Sequence, residues 1–102
     1  MILFHKEFGQ GKPLVILHGL FGFSDNWQSH AKHFSTYFRV VLLDLRNHGR
    51  SQWSESHSYE EMASDVAETL DELAIPKAHF IGHSMGGKVL MHLALSHSNY
   101  ID

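Results

Sequence analysis

The segment Lys77–Val89 constrains the fold of this chain more than any other, because a glycine-rich turn joins two patterned stretches. The apolar run at 78–81 predicts a strand, and the residues that follow the turn have the spacing of a helix. Between them lies Gly82-His83-Ser84-Met85-Gly86, in which one glycine lies two positions before the serine and another lies two positions after it. This pattern predicts a tight strand-to-helix turn with the serine at its tip.

The spacing Gly82-x-Ser84-x-Gly86 suits a serine that acts as a nucleophile. A residue at the tip of such a sharp turn adopts strained backbone angles, so its close neighbours must lack side chains. The turn also leaves the first amides of the helix free, and the Met85 amide can donate to an oxyanion formed beside Ser84. An ordinary glycine-rich connection has the same pattern, and short motifs often match by chance. The pentapeptide alone leaves both interpretations open.

Composition excludes several classes of protein. Eight basic and eleven acidic residues give a formal charge of -3, with no basic patch, so no nucleic-acid partner is predicted. Cysteine is absent, and none of the ten histidines forms a His-Glu-x-x-His pair, so no metal site is predicted. No apolar run is long enough to span a membrane, and the first residues do not resemble a secretory signal. We therefore expect a cytoplasmic protein without a membrane partner.

Strands and helices alternate along the chain. Apolar runs predict strands at 2–8, 14–17, 39–44 and 78–81. Helical spacing predicts a first helix that is capped by Ser24 or Asp25 and reaches Phe38, and a third helix that follows the glycine turn and is largely buried. The order β-β-α-β-α-β-α predicts a three-layer α/β fold with a mainly parallel sheet.

The second helix is predicted in most detail. Ser58 and Glu61 have the spacing of a capping box, and Pro76 ends the helix. Met62, Val66, Leu70 and Leu73 form its apolar side. Its six acidic residues are expected to face water as a solvated surface; they are Glu60, Glu61, Asp65, Glu68, Asp71 and Glu72.

Three motifs follow predicted strands, and therefore lie at the sheet edge where α/β proteins bind ligands. They are His18-Gly19-Leu20-Phe21-Gly22, the loop Asp44–Ser51 with Asp-x-Arg-Asn-His-Gly-x-Ser, and Gly-His-Ser-Met-Gly-Gly at 82–87. Together they resemble the N-terminal half of an α/β-hydrolase, especially the small bacterial-type serine esterases. The likeness covers nearly all 102 residues. It implies a truncated α/β-hydrolase fold, in which 1–102 is the first part of a single domain and the C-terminal part is absent.

The resemblance implies roles for individual residues. Ser84 matches the nucleophile, and the two oxyanion-hole amides match Met85 and either Leu20 or Phe21, between which the sequence does not choose. A serine favours acyl transfer, because haloalkane dehalogenases and epoxide hydrolases of the superfamily have aspartate at this position. The implied reaction is hydrolysis of a small-molecule carboxylic ester or thioester through an acyl-enzyme, with no cofactor.

The triad acid and base are not matched by any residue of this chain. In the family they come later, in the order serine, acid, histidine. We interpret His18, His48 and His83 as structural residues, and Asp44 and Arg46 as a structural pair. Since a serine hydroxyl without a base is a weak nucleophile, the isolated chain is expected to be nearly inactive. Its last strand would be an exposed edge, so the chain is also expected to self-associate.

Two other functions fit parts of the sequence. Gly82 to Lys88 also matches the G-x-x-x-x-G-K pattern of a phosphate-binding P-loop, although Val89 replaces the serine or threonine that would bind magnesium. A non-catalytic binding module on a hydrolase scaffold is the other alternative.

Overall fold

A computed structural model describes all residues from 1 to 102 as a four-stranded sheet with helices on both faces. The strands are β1 (His5–Phe8), β2 (Lys12–Leu17), β3 (Phe38–Leu43) and β4 (His79–Gly82). The helices are α1 (Gln28–Phe34), α2 (Tyr59–Glu72) and α3 (Met85–Ser96), with short 3₁₀ helices at Ser24–Trp27 and Ser98–Tyr100. The strand order is β1-β3-β2-β4; β1 is antiparallel to β3, and the other pairs are parallel. The predicted three-layer, mainly parallel α/β fold is confirmed.

The central strand β2 divides the core into two layers, because its side chains alternate between the faces of the sheet. Val15 and Leu17 pack into the larger cluster, with residues of α2 and α3. Leu14 and Ile16 pack into the smaller cluster, with Ala31 of α1. The run at 14–17 is buried on both faces, as its continuous apolar character predicts.

The first helix is shorter than predicted. Its α-helical part ends at Phe34, where the Tyr37 amide donates to the Phe34 carbonyl and closes a turn. Phe38, predicted to lie on this helix, is the first residue of β3 and pairs with Lys12. The predicted cap at Ser24 is also wrong, because Ser24 is buried within the preceding 3₁₀ helix.

The cap of α2 is confirmed, whereas one acidic residue of this helix is not where the sequence placed it. Ser58 Oγ accepts a hydrogen bond from the Glu61 amide at 3.1 Å. Asp65, predicted to face water, is buried and accepts from Arg46 Nε at 2.6 Å. The predicted pair of Arg46 with Asp44 is therefore wrong. Asp44 is buried too, but it is stabilised by backbone amides of neighbouring loops.

Helix α3 has one buried and one exposed apolar side. Val89 and Leu93 lie in the core, but Met91 is 67% exposed and Leu95 is 84% exposed. The prediction of a largely buried helix is thus wrong for the outward side, where no other element of this chain packs. None of the helices combines the length and the apolar composition needed to cross a membrane.

Strand β4 lies at one edge of the sheet. Its neighbour is β2, and on the other side only Ala78 forms a bridge, with Ile101. The Asp102 amide donates to the Ala78 carbonyl at 2.9 Å, in the direction of a parallel strand. Most of this edge of β4 is unpaired within the chain.

Candidate active site

Ser84 occupies the strained tip of the turn between β4 and α3. Its φ and ψ angles are 54° and -111°, which place a residue with a side chain in a region that favours glycine. It is the N-cap of α3, but its side chain makes no capping hydrogen bond. Ser84 is also exposed, so its hydroxyl is free to meet a ligand.

The two glycines of the motif are required by close approach. A Cβ atom on Gly86 would lie 2.7 Å from the His18 carbonyl oxygen, and closer still to that of Leu17. A Cβ atom on Gly82 would lie 2.7 Å from the Gly86 carbonyl oxygen. Gly86 packs on the end of β2 and Gly82 packs on the first turn of α3, so neither position has room for a side chain. The sequence predicts glycines here from the strained angles of Ser84, and close packing is a further reason for them.

Three backbone amides near Ser84 have no acceptor on the backbone. Met85 is the first residue of α3, where an amide has no intrahelical partner. The amides of Leu20 and Phe21 are also free, because the turn is closed by the Gly22 amide, which donates to the Gly19 carbonyl at 2.9 Å. Phe21 has φ of 63° and is 88% exposed, whereas Leu20 is 56% exposed. Both amides stay candidates for the second oxyanion donor.

His18 fixes the loop that contains these amides. Its Nδ1 atom donates to the Gly19 carbonyl at 2.8 Å, and its Nε2 atom accepts from the Leu45 amide at 3.0 Å. Burial lowers the pKa of His18 below its ordinary value, because the charged ring is poorly solvated there. Its neutral ring thus joins the loops after β2 and β3, as the structural interpretation predicts.

The loop after β3 is fixed in the same way. His48 Nδ1 bonds to the Arg46 carbonyl at 2.8 Å. Gly49 has φ of 52°, and a Cβ atom there would lie 2.6 Å from the Asp44 carboxyl carbon. Asp44 accepts from the amides of Ser24 at 2.6 Å and Arg50 at 2.9 Å. These hydrogen bonds fix the shape of the loop, and neither His48 nor Asp44 lines a cavity that contains Ser84.

His83 packs beside the loop after β2, and its ring centroid lies 5.9 Å from that of Trp27. A Cβ atom on Gly19 would lie 2.8 Å from His83 Nδ1, so this glycine leaves room for the imidazole ring.

Two cavities meet at Ser84 and Leu20. The first, of about 400 Å³, extends between α2 and α3, where it is lined by His57, Tyr59 and Lys88 among others. The second, of about 450 Å³, extends along the loop after β2. It includes the aromatic side chains of Phe21, Trp27, His30 and His83. The sequence did not indicate the cavity roles of His57, Tyr59, Trp27 and His30, although their positions near the carboxyl edge of the sheet could have suggested them.

Comparison with known proteins assigns the family. The family model for the alpha/beta hydrolase fold matches residues 12–102. The sn-1-specific diacylglycerol lipase ABHD11 of Danio rerio is 47% identical over 96 residues, which cover 92% of this chain and 30% of that protein. Esterase YbfF of Escherichia coli K12 is 44% identical over 90 residues, covering 88% of this chain and 35% of that protein. This chain belongs to the alpha/beta hydrolase fold family.

Solved structures agree with that assignment. A structure described as a marine microorganism esterase superposes with a TM-score of 0.96 at 44% identity, and the match covers 99% of this chain and 39% of that one. The chain spans about a third of the length of the curated relatives it matches. The P-loop interpretation has no support from these relatives, and Val89, where a magnesium-binding hydroxyl would be needed, is buried in the core.

Proposed function

We propose that the intact protein is a serine hydrolase, and that this chain is its nucleophile-bearing part. The proposed substrates are small-molecule carboxylic esters or thioesters. The observation that supports this most strongly is the exposed Ser84 at φ 54°, placed where two cavities meet the free amide of Met85. The names of the relatives, esterases and a lipase, support the same class of reaction.

In the proposed reaction, the Ser84 oxygen attacks the acyl carbon and gives a tetrahedral oxyanion. The amides of Met85 and of Leu20 or Phe21 would donate to that oxyanion, each contributing roughly 10²–10³ in rate. Collapse of the intermediate expels the alcohol or thiol and leaves the acyl group on Ser84. Water then attacks the acyl-enzyme and releases the acid. No cofactor or metal takes part in this scheme.

Proton transfer from Ser84 requires a base that is oriented by an acid. We assign neither role to a residue of this chain, because both ring nitrogens of His18 are engaged in loop hydrogen bonds and His48 lines neither cavity at Ser84. Family order places both groups later in the sequence. We therefore propose that residues following Asp102 in the intact protein supply them, and that the isolated chain hydrolyses esters hardly at all.

A fluorophosphonate probe tests the proposal, because it reacts with activated serine nucleophiles. The intact protein, translated from the complete reading frame, should be labelled at Ser84. Ser84→Ala should abolish the labelling, whereas Ser29→Ala, a change of an exposed serine on α1, should preserve it. Equal labelling of the Ser84→Ala variant would contradict the assignment. Absence of labelling in the wild-type protein would favour the non-catalytic binding module.

We further propose that the intact protein works in the cytoplasm. The part of the protein described here contains no cysteine, so this part needs no oxidising compartment to form disulfides. Cell fractionation with an antibody to this chain tests the location.

A further inference from the structure

The cavity between α2 and α3 differs from its neighbour in charge. We name it the Lys88 pocket; its polar side chains are His57, Ser58, Tyr59, Ser84 and Lys88. No aspartate or glutamate is among its lining residues, so Lys88 supplies its only formal charge. The second cavity is lined by no aspartate, glutamate, lysine or arginine. Only its histidines can become charged, by protonation.

Lys88 has no acidic partner in the chain. It takes part in none of the salt bridges. Its Nζ atom lies 5.9 Å from the centre of the Tyr59 ring, which positions the ammonium group over an aromatic face. The Tyr59 ring therefore holds the ammonium group in place, and the three N–H donors of that group are available to a ligand.

His57 presents a donor to the same pocket. Asn47 Oδ1 accepts from the Ser54 amide at 2.6 Å, which fixes the orientation of the Asn47 side chain. The Asn47 amide nitrogen then donates to His57 Nδ1 at 3.1 Å. A neutral imidazole that accepts at Nδ1 has its proton at Nε2. His57 is consequently a hydrogen-bond donor at its second nitrogen, and it is unsuited to act there as the base for Ser84.

Ser58 belongs to the wall of the pocket but is held by the helix that it caps. Its Oγ atom accepts from the Glu61 amide at 3.1 Å, and its hydroxyl is directed at the Glu61 carboxylate. The apolar side chains of Leu20, Met62 and Met85 complete the wall. Apolar surroundings strengthen the attraction between Lys88 and an opposite charge.

We infer that the Lys88 pocket binds a negatively charged oxygen group of the substrate, a carboxylate or a phosphate. Lys88 supplies the opposite charge, and His57 donates a hydrogen bond. The inference rests on the proposed function, since it places this group beside the Ser84 hydroxyl. It assigns Lys88 and His57 to substrate selection and leaves the acyl-transfer chemistry to Ser84.

Two pairs of substrates test the inference in the intact protein. The first pair is mono-p-nitrophenyl adipate and p-nitrophenyl hexanoate, which differ by a carboxylate. The second pair is acetyl-4′-phosphopantetheine and acetyl-pantetheine, which differ by a phosphate. For each pair we define the anion preference as the kcat/KM of the charged substrate divided by that of the neutral one.

Lys88→Met should lower the anion preference about tenfold, as expected for loss of a charge-assisted hydrogen bond at a partly exposed site. Lys88→Arg should retain most of it, and Lys77→Met, which changes an exposed lysine elsewhere, should leave it unaltered. His57→Phe should lower it by a smaller factor. Raising the salt concentration should weaken the wild-type preference and have less effect on Lys88→Met.

The outcomes separate this inference from the proposed function. A Lys88-dependent preference in the first pair identifies a carboxylate, and one in the second pair identifies a phosphate. If Lys88→Met changes neither preference while a neutral fluorophosphonate still labels Ser84, the inference is wrong and the proposed function stands. If Ser84 is not labelled, both are wrong.

Discussion

Arg46 and Asp65 form a two-point ion pair between the loop after β3 and helix α2. Arg46 Nε lies 2.6 Å from Asp65 Oδ2, and Nη2 lies 3.0 Å from Oδ1. The Asp65 side chain is 2% exposed, so both of its oxygens depend on partners within the protein. Arg46 also donates to the Ser56 carbonyl at 3.1 Å, next to the His57 that lines the Lys88 pocket. The pair therefore connects the core of α2 with the wall of the candidate site.

Removing one partner of this pair should destabilise the protein. Asp65→Ala should lower the free energy of unfolding of the intact protein by about 1–3 kcal/mol, because the guanidinium loses two hydrogen bonds to a buried carboxylate and keeps only the more exposed Glu61 as an acidic partner. Glu72→Ala, at an exposed position of the same helix, should change it by less than about 0.5 kcal/mol. The double change Arg46→Met with Asp65→Leu should recover much of the loss. Urea unfolding measures all three, and equal effects of Asp65→Ala and Glu72→Ala would contradict the account.

Two neighbouring glycines should respond in opposite ways to alanine. Gly86→Ala places a methyl group against the carbonyl oxygens of Leu17 and His18, so it should destabilise the intact protein and abolish labelling of Ser84. At Gly87 the new methyl group would lie 3.4 Å from the Gly82 carbonyl oxygen, an ordinary contact. Because alanine favours a helix interior, Gly87→Ala should be neutral or stabilise by up to about 1 kcal/mol. Thermal unfolding with probe labelling checks both, and equal tolerance of the two changes would contradict the packing described for the turn.

His18 should make the stability depend on pH. Burial is the main reason that its folded-state pKa is lowered; nearby His48 lowers it further, while the Gly19 carbonyl and Asp44 oppose the shift. The unfolded chain therefore binds more protons once the pH falls below about 6.5. The contribution of neutral His18 is fully present above that pH and is lost as the pH decreases through the lowered folded-state pKa.

Replacing His18 tests this dependence. Between pH 7 and pH 5 the wild-type protein should lose stability more steeply than His18→Gln, by at most about 1.4 kcal/mol for each pH unit. His33→Gln, which changes an exposed histidine on α1, should have the wild-type slope. Urea unfolding at several pH values gives these slopes. Identical slopes for wild type and His18→Gln would show that His18 does not have the lowered pKa.

The fold and the sharp turn at Ser84 were predictable because their signals are local. The run at 14–17 and the spacing of Gly82, Ser84 and Gly86 determine a buried strand and a sharp turn without knowledge of distant residues. Asp65 is an exception, because a carboxylate on a helix normally faces water and its charge alone predicts exposure. Asp65 follows Met62 by three residues, so helical geometry places it on the buried side of α2. There the positive charge of Arg46 compensates its negative charge.

The pocket could not be predicted in the same way. His57 reaches it only because a long loop follows one particular path, fixed by the hydrogen bonds of Asn47. Lys88 and Tyr59 meet because α2 packs on α3, and helical periodicity does not give the rotation of one helix against another. Likewise, no local pattern distinguishes the exposed side of α3 at Leu95 from its buried side at Leu93.

The isolated chain should self-associate. One edge of β4 is largely unpaired, and Met91 and Leu95 are exposed on the neighbouring helix. Unpaired strand edges and exposed apolar patches promote association between chains. Light scattering after gel filtration at micromolar concentration should show species larger than a monomer. Met91→Lys with Leu95→Lys should reduce them more than Thr36→Lys with Ser98→Lys, and a monodisperse wild-type monomer with cooperative unfolding would contradict the prediction.

Trapping of the acyl-enzyme tests the central claim, that Ser84 is an acylated nucleophile, most directly. The intact protein is mixed with p-nitrophenyl acetate, quenched in acid within the first turnovers and digested for peptide mass spectrometry. We predict an acetyl group on Ser84 in the wild-type protein, none at that peptide in Ser84→Ala, and hardly any in the isolated 102-residue chain. Turnover of the ester by the wild-type protein with acetylation at another residue and an unmodified Ser84, or with the same rate in Ser84→Ala, would contradict the claim.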